Sequence, residues 1–187
     1  RLGRALKRLW DTMQDELANV LREQSGFLGM TVLQSYGNPG RYTLTTRWTD
    51  RDASQASSRG QRFTAFARDL LTSGLVRPLR MTEAYESVFE VDAENLDPSR
   101  VDSSCEVWID WTLKSAAVAP AFEEFSRTMA ETARRYAPGF QSSRLRRFLG
   151  NDARYLAIVI VTDRAAARAR YLVPQVAAVL EANPYTA

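Results

Sequence analysis

GNPGRYTLTTRWTDRDA at residues 37–53 returns as GNDARYLAIVIVTDRAA at residues 150–166. The two stretches align without a gap at an offset of 113 residues (Gly37 to Gly150). Asn38, Arg41, Tyr42, Thr49, Asp50, Arg51 and Ala53 meet Asn151, Arg154, Tyr155, Thr162, Asp163, Arg164 and Ala166. The same offset lays Ser25-Gly26-Phe27 on Pro138-Gly139-Phe140. An internal repeat held in one register over residues 26–53 restricts the fold more than composition does. Its period exceeds the roughly 20–50 residues of a solenoid repeat and fits two fused copies of one small unit.

Hydrophobic spacing gives the elements of each copy. Leu2, Leu6, Leu9, Trp10, Met13, Leu17, Val20 and Leu21 recur at helical steps and predict an amphipathic helix over 2–23, which Gly26 ends. Residues 28–36 and 41–48 read as a hairpin around Gly37-Asn38-Pro39-Gly40. Asp50 caps a helix that Gly60 interrupts before Phe63, Phe66, Leu70 and Leu71 resume the apolar stripe. Residues 81–91 form a further strand, on which Tyr85, Ser87 and Phe89 alternate with Glu86, Val88 and Glu90. The polar stretch 91–104 has no period and is a linker. Beyond it come a strand over 105–113 and a helix marked by Phe122, Phe125, Met129 and Tyr136, with Pro120 in its first turn. Strands over 141–149 and 155–161 then flank the turn at 150–152, and a last helical segment breaks near Pro174.

The first half thus reads α-β-β-α-β and the second β-α-β-β-α. Superposed by the repeat, they complete one β-α-β-β-α-β unit, the ferredoxin-like split βαβ arrangement. The expected class is α+β. A first unit over 1–91 has its opening strand upstream of Arg1, a linker spans 92–104, and a second unit over 105–187 has its last strand beyond Ala187. A sheet with both helices on one face leaves the other uncovered. The two units are therefore expected to pack as a pseudo-dimeric α+β barrel within one chain, with further homo-oligomerisation left open.

Composition removes several function classes. No apolar run approaches the roughly 18 residues of a membrane span; the longest is Tyr155–Val161. Cys105 is the single cysteine, so no internal disulfide forms, which suits a reducing cytoplasm. The net charge of +3 comes from arginines interspersed with acids, without the concentrated basic footprint of a nucleic-acid binder. The chain has no histidine. Ser-His-Asp catalysis, imidazole-ligated zinc and proximal-His haem therefore cannot be assembled from its side chains. With no Walker-type loop and no Gly-x-Gly-x-x-Gly, no metal or organic cofactor is expected. Arg47 and the run Arg144–Arg147 retain the chemistry to grip a phosphate or carboxylate.

Ser25-Gly26-Phe27 after the first helix, Arg41-Tyr42 opening a strand and Trp48-Thr49-Asp50 closing it together resemble the antibiotic biosynthesis monooxygenase family, a branch of the dimeric α+β barrel superfamily. The resemblance implies an enzyme of secondary metabolism that oxidises an aromatic polyketide phenol with O₂ and without metal or flavin. The superfamily also holds polyketide cyclases and haem-degrading enzymes, whose axial His has no counterpart here. By position Trp48 matches the strand-terminal Trp that the family associates with its pocket. The family's Asn, four residues earlier, falls on Leu44.

The copies differ where function is expected. Thr43, Thr45, Thr46, Arg47 and Trp48 are replaced by Leu156, Ile158, Val159, Ile160 and Val161. A strand apolar on both faces is a buried scaffold, whereas a polar and aromatic mixture suits a pocket wall. The first copy is therefore expected to bind and the second to support. Trp48 is a catalytic candidate, with core filler as its competing role. Arg47 is a second, at opposite parity; Thr43, Leu44 and Thr45 are expected substrate contacts.

Glu106, Trp108 and Asp110 share a face of the strand over 105–113. Asp110 is a candidate general base toward a phenol, its pKa raised by burial near Trp108, with a plain solvated acid as the competing role. Trp108 and Tyr85 complete the substrate-binding set. Tyr42 and Tyr155, identical in both copies, read as fold determinants. The expected function is a cofactor-independent monooxygenase whose partner is a small aromatic polyketide-like phenol. A polyketide cyclase or a non-catalytic small-molecule binder on the same barrel is the alternative.

Overall fold

The computed structural model describes residues 2–38, 41–72, 83–94 and 104–186. The chain divides into two compact units, Arg1–Met81 and Thr82–Ala187, and both mix helix with antiparallel sheet.

In the first unit α1 (Leu2–Arg22) leads into a hairpin of β1 (Phe27–Gln34) and β2 (Tyr42–Trp48), followed by α2 (Arg51–Arg59) and α3 (Gln61–Thr72). Residues 39 and 40 of the expected turn lie outside the described residues. Leu17 and Leu21 of α1 are buried, as the helical spacing requires. Gly60 closes α2 with its N–H on the Ser57 carbonyl at 2.9 Å, so the expected interruption is a real boundary between two helices.

In the second unit β3 (Tyr85–Asp92), β4 (Cys105–Thr112), α4 (Ala119–Tyr136), β5 (Phe140–Phe148), β6 (Arg154–Val161), α5 (Arg164–Ala169) and α6 (Pro174–Glu181) follow in order. The strands form one antiparallel sheet in the order β3-β5-β6-β4. Its core gathers Phe89, Val91, Leu145, Tyr155, Ala157, Val159 and Val161 with Phe122, Ala130 and Ala133 of α4. The burial of β6 on both faces agrees with its uninterrupted apolar sequence.

The strand expected in the first unit, β3, is hydrogen-bonded to β5 instead. β3 thus adds to the β5 edge of the second sheet, while Leu113, directly after β4, forms an isolated antiparallel bridge with Thr186. Alternation along a strand records which face is buried, but not which edge receives it. Alternation also misjudges β3 itself. A bulge between Ser87 and Phe89 inserts one residue, so Phe89 turns into the core while Tyr85 and Ser87 stay on the opposite face.

The repeated residues serve one local structure twice. Gly26 and Gly139 adopt positive φ (80° and 67°), and their carbonyls accept the N–H of Thr49 and Thr162, each at 2.8 Å. Asp50 caps α2 through the Ala53 N–H at 2.8 Å; Asp163 caps α5 through the Ala166 N–H at 2.9 Å. A Cβ on Gly26 would stand 2.5 Å from Thr49 Oγ1 and 2.6 Å from Ala53 Cβ, and one on Gly139 2.8 Å from Ala166 Cβ. Glycine, threonine, aspartate and alanine recur because a strand end and a helix start must pass within contact of the glycine.

Candidate functional site

On the β1–β2 hairpin, opposed residues share a face. Trp48, Thr46 and Leu44 stand beside Phe27, Met30 and Val32; Arg47, Thr45 and Thr43 stand beside Gly29, Thr31 and Leu33 on the reverse. Trp48 and Arg47 are therefore separated by the sheet, as their parity requires. The Trp48 ring meets Phe27 edge-on, with centroids 5.4 Å apart. Its Nε1 donates to Thr46 Oγ1 at 2.9 Å, which fixes the indole and satisfies its one donor. Trp48, Thr43 and Thr45 are half-buried, and Leu44 is exposed. The exposed Arg47 lies across Gly29, where a Cβ would stand 3.3 Å from its Nη2. Val161, the repeat counterpart of Trp48, is fully buried.

The second unit brings Tyr85, Trp108 and Asp110 to one face of its sheet, through the rows Ser87–Arg146–Leu156–Asp110 and Glu90–Arg144–Ile158–Trp108. Trp108 Nε1 donates to Glu106 Oε2 at 2.8 Å. The burial expected around Asp110 is absent: its side chain is 54% exposed, and one oxygen lies 3.5 Å from Arg154 Nη2. Arg154 grips both oxygens of Glu83, at 2.9 and 3.3 Å, and its guanidinium lies 5.2 Å from the Phe148 ring centroid. The Tyr85 hydroxyl donates to Glu83 Oε2 at 2.7 Å. Burial, reinforced by that bond, pushes the Tyr85 phenol up to about 12. Tyr85 is thus a hydrogen-bond donor at neutral pH.

Sequence reasoning missed Phe27, Thr46, Glu83 and Arg154. An indole N–H in a half-buried strand needs an acceptor, and the same-face residue two positions back was the signal for Thr46. Arg154 is repeated as Arg41, yet only its strand neighbours identify its carboxylates. The run Arg144–Arg147, expected to suit an external anion, already meets internal ones. Arg144 pairs with Glu90, while Arg147 pairs with Glu86 at 2.5 Å and approaches Glu123 at 3.6 Å. Tyr155 is fully buried and donates to Glu123 at 2.8 Å, while Tyr42 is exposed and bonded to Gln34. Identity between the copies does not bring equal burial.

A concavity of about 280 Å³ runs along the outer side of α4, lined by residues such as Glu124, Arg127, Glu131 and Arg135, and contains none of the expected site residues. Among the described residues no group of three or more His, Cys, Asp or Glu is placed to hold a metal, and no helix is long and apolar enough to cross a membrane.

No curated protein sequence matches the chain significantly. Among solved structures the fold resembles a candidate monooxygenase from Fusobacterium nucleatum, at 12% identity over 93% of this chain and 77% of that one, with a TM-score of 0.66. A candidate monooxygenase from Lactobacillus acidophilus aligns at 13% identity over 96% and 79%, with a TM-score of 0.59. An anthrone oxidase-like protein aligns at 14% identity over 91% and 77%, with a TM-score of 0.63. At these identities the likeness is one of fold. In sequence, residues 7–69, running from α1 through the Trp48 hairpin into α3, match the antibiotic biosynthesis monooxygenase family.

Proposed function

We propose that this protein is a cofactor-independent monooxygenase of secondary metabolism that oxidises a phenolic aromatic of the polyketide class. The observation that carries the proposal is where the family match falls. It covers the hairpin whose returning strand keeps Trp48 and its threonines only partly buried, while the counterpart strand is sealed in the core. The Trp48 ring, held by Thr46 and abutted by Phe27, offers a planar wall to an aromatic substrate.

The chemistry needs a proton acceptor and O₂. Loss of a proton from an anthrone-like substrate gives an electron-rich anion; O₂ bonds to the ring carbon, and loss of water leaves the quinone. Anthrone and O₂ thus become anthraquinone and water, with O₂ as the oxidant and no external reductant. In the second unit Asp110, a carboxylate 54% exposed and 3.5 Å from Arg154, is the proposed proton acceptor. Tyr85 stays protonated there and donates.

Oxygen uptake and quinone absorbance with an anthrone test the reading directly. The protein accelerates both above the buffer rate, Trp48→Ala suppresses the acceleration, and Asp110→Asn tests the acceptor. Ring closure without O₂ consumption would instead identify a cyclase, and binding without turnover a non-catalytic binder.

A further inference from the structure

Four glutamates lie between residues 83 and 94, and each meets an arginine of the same unit. Glu83 pairs with Arg154 at 2.9 Å, Glu86 with Arg147 at 2.5 Å, Glu90 with Arg144, and Glu94 with Arg134 at 3.5 Å. Glu86 and Glu90 stand directly opposite Arg147 and Arg144 in the β3–β5 register. The glutamates are one position further apart than the arginines, and the bulge between Ser87 and Phe89 absorbs the difference. Without it Glu90 would face Ser143, and Phe89 would leave the row of Leu145. Charge pairing and core packing therefore demand the same bulge.

The repeat supplies a comparison. β1 is the counterpart of β5 at the offset of 113 residues, and it presents Thr31 and Gln34 where β5 presents Arg144 and Arg147. Leu21 stands in place of Arg134. The sequence of β1, FLGMTVLQ, carries no charge. Backbone donors and acceptors along a strand edge are blind to sequence and receive any extended segment. Side-chain charge is what separates one edge from another, by favouring the opposite sign and opposing the same sign.

We propose that Arg144 and Arg147, extended by Arg134 and Arg154, make the outer edge of β5 a strand-acceptor site selective for an acidic β-strand. β3 is its resident occupant, assigned to this edge by charge. The proposal is independent of the enzymatic reading, since no substrate enters it.

A charge-swap experiment on the full chain decides it, read by hydrogen exchange at the β3 amides with β6 as internal reference. Glu86→Arg/Glu90→Arg and Arg144→Glu/Arg147→Glu each speed β3 exchange on the order of tenfold or more. Combining all four substitutions returns it to within about threefold of the parent. In the parent, added salt speeds β3 exchange by screening the pairs; in the neutral variant Glu86→Gln/Glu90→Gln it does not. If a one-sided reversal fails to fold, the salt series on the parent and the neutral variant decides alone. A fourfold variant as labile as its one-sided parents, or a β3 whose exchange ignores salt in the parent, would overturn the assignment.

Discussion

Trp48 and Val161 occupy the same position of the repeat with opposite surroundings, so their truncations should separate function from stability. Trp48→Ala removes the ring that meets Phe27 and frees Thr46 on a half-buried strand. It is expected to weaken aromatic binding or turnover at least about tenfold, a loss of roughly 1.4 kcal/mol, with a modest change in melting temperature. Val161→Ala empties fully buried core volume and should cost about 2 kcal/mol of stability while leaving binding intact. Calorimetry beside ligand titration reads both; a Trp48→Ala protein that melts far lower yet binds normally would move Trp48 into the core. Alkaline pH tests the tyrosines. Tyr85 and Tyr155 are both pushed up to about 12, first by burial and then by their bonds to Glu83 and Glu123. Their folded-state values exceed the unfolded value near 10, so the stabilisation is complete below about 10 and falls as pH climbs toward 12. Denaturant midpoints across that window should decline, and Tyr85→Phe should flatten the decline.

At the scale of elements, the repeat marks junctions rather than chemistry. Gly26→Ala and Gly139→Ala each place a methyl against a threonine and an alanine at positive φ. Both are expected to lower stability by about 1–3 kcal/mol, measured by thermal unfolding; a tolerated pair would remove the reason the glycines recur. The caps carry a pH signature. The Ala53 and Ala166 N–H groups hold the Asp50 and Asp163 carboxyls below their usual value. Their contribution is present above the unfolded carboxylate value and is lost as pH falls through the folded one. Asp50→Ala and Asp163→Ala should therefore destabilise at neutral pH and lose their effect in acid. The cap at Asp50 was legible beforehand, because its partner lies three positions away; the approach of Gly26 to Thr49 and of Gly139 to Thr162 was not, because it joins residues 23 positions apart. The exposure of Asp110 agrees with the solvated role that strand alternation already offered; its contact with Arg154 was not legible, because that partner comes from β6.

Across the whole molecule, chemistry and topology make different demands on the sequence. A chain without histidine cannot assemble imidazole-ligated zinc or proximal-His haem from its own side chains, and in the proposed oxidation substrate ionisation supplies the reactivity. Oxygen uptake by purified protein should accordingly survive exhaustive chelation unchanged; a rate that collapses on chelation and returns with added metal would refute the cofactor-free mechanism. The topology places one strong demand on β3, which must find a particular edge. The four glutamates between 83 and 94 and their arginine partners are the sequence's provision for it.

The sequence by itself determined the repeat, the order and type of the elements, the cap at Asp50, the break at Gly60 and the contrast between β2 and β6. Each of these depends on periodicity or on partners a few residues away, where propensity and short-range hydrogen bonds act. Only the tertiary structure decided that β3 joins β5, that a bulge reverses the faces of Tyr85 and Phe89, and that Arg154 ties Glu83 to Asp110. Those outcomes rest on cross-strand pairs up to 71 residues apart, and period-two alternation looks the same whichever edge a strand adopts.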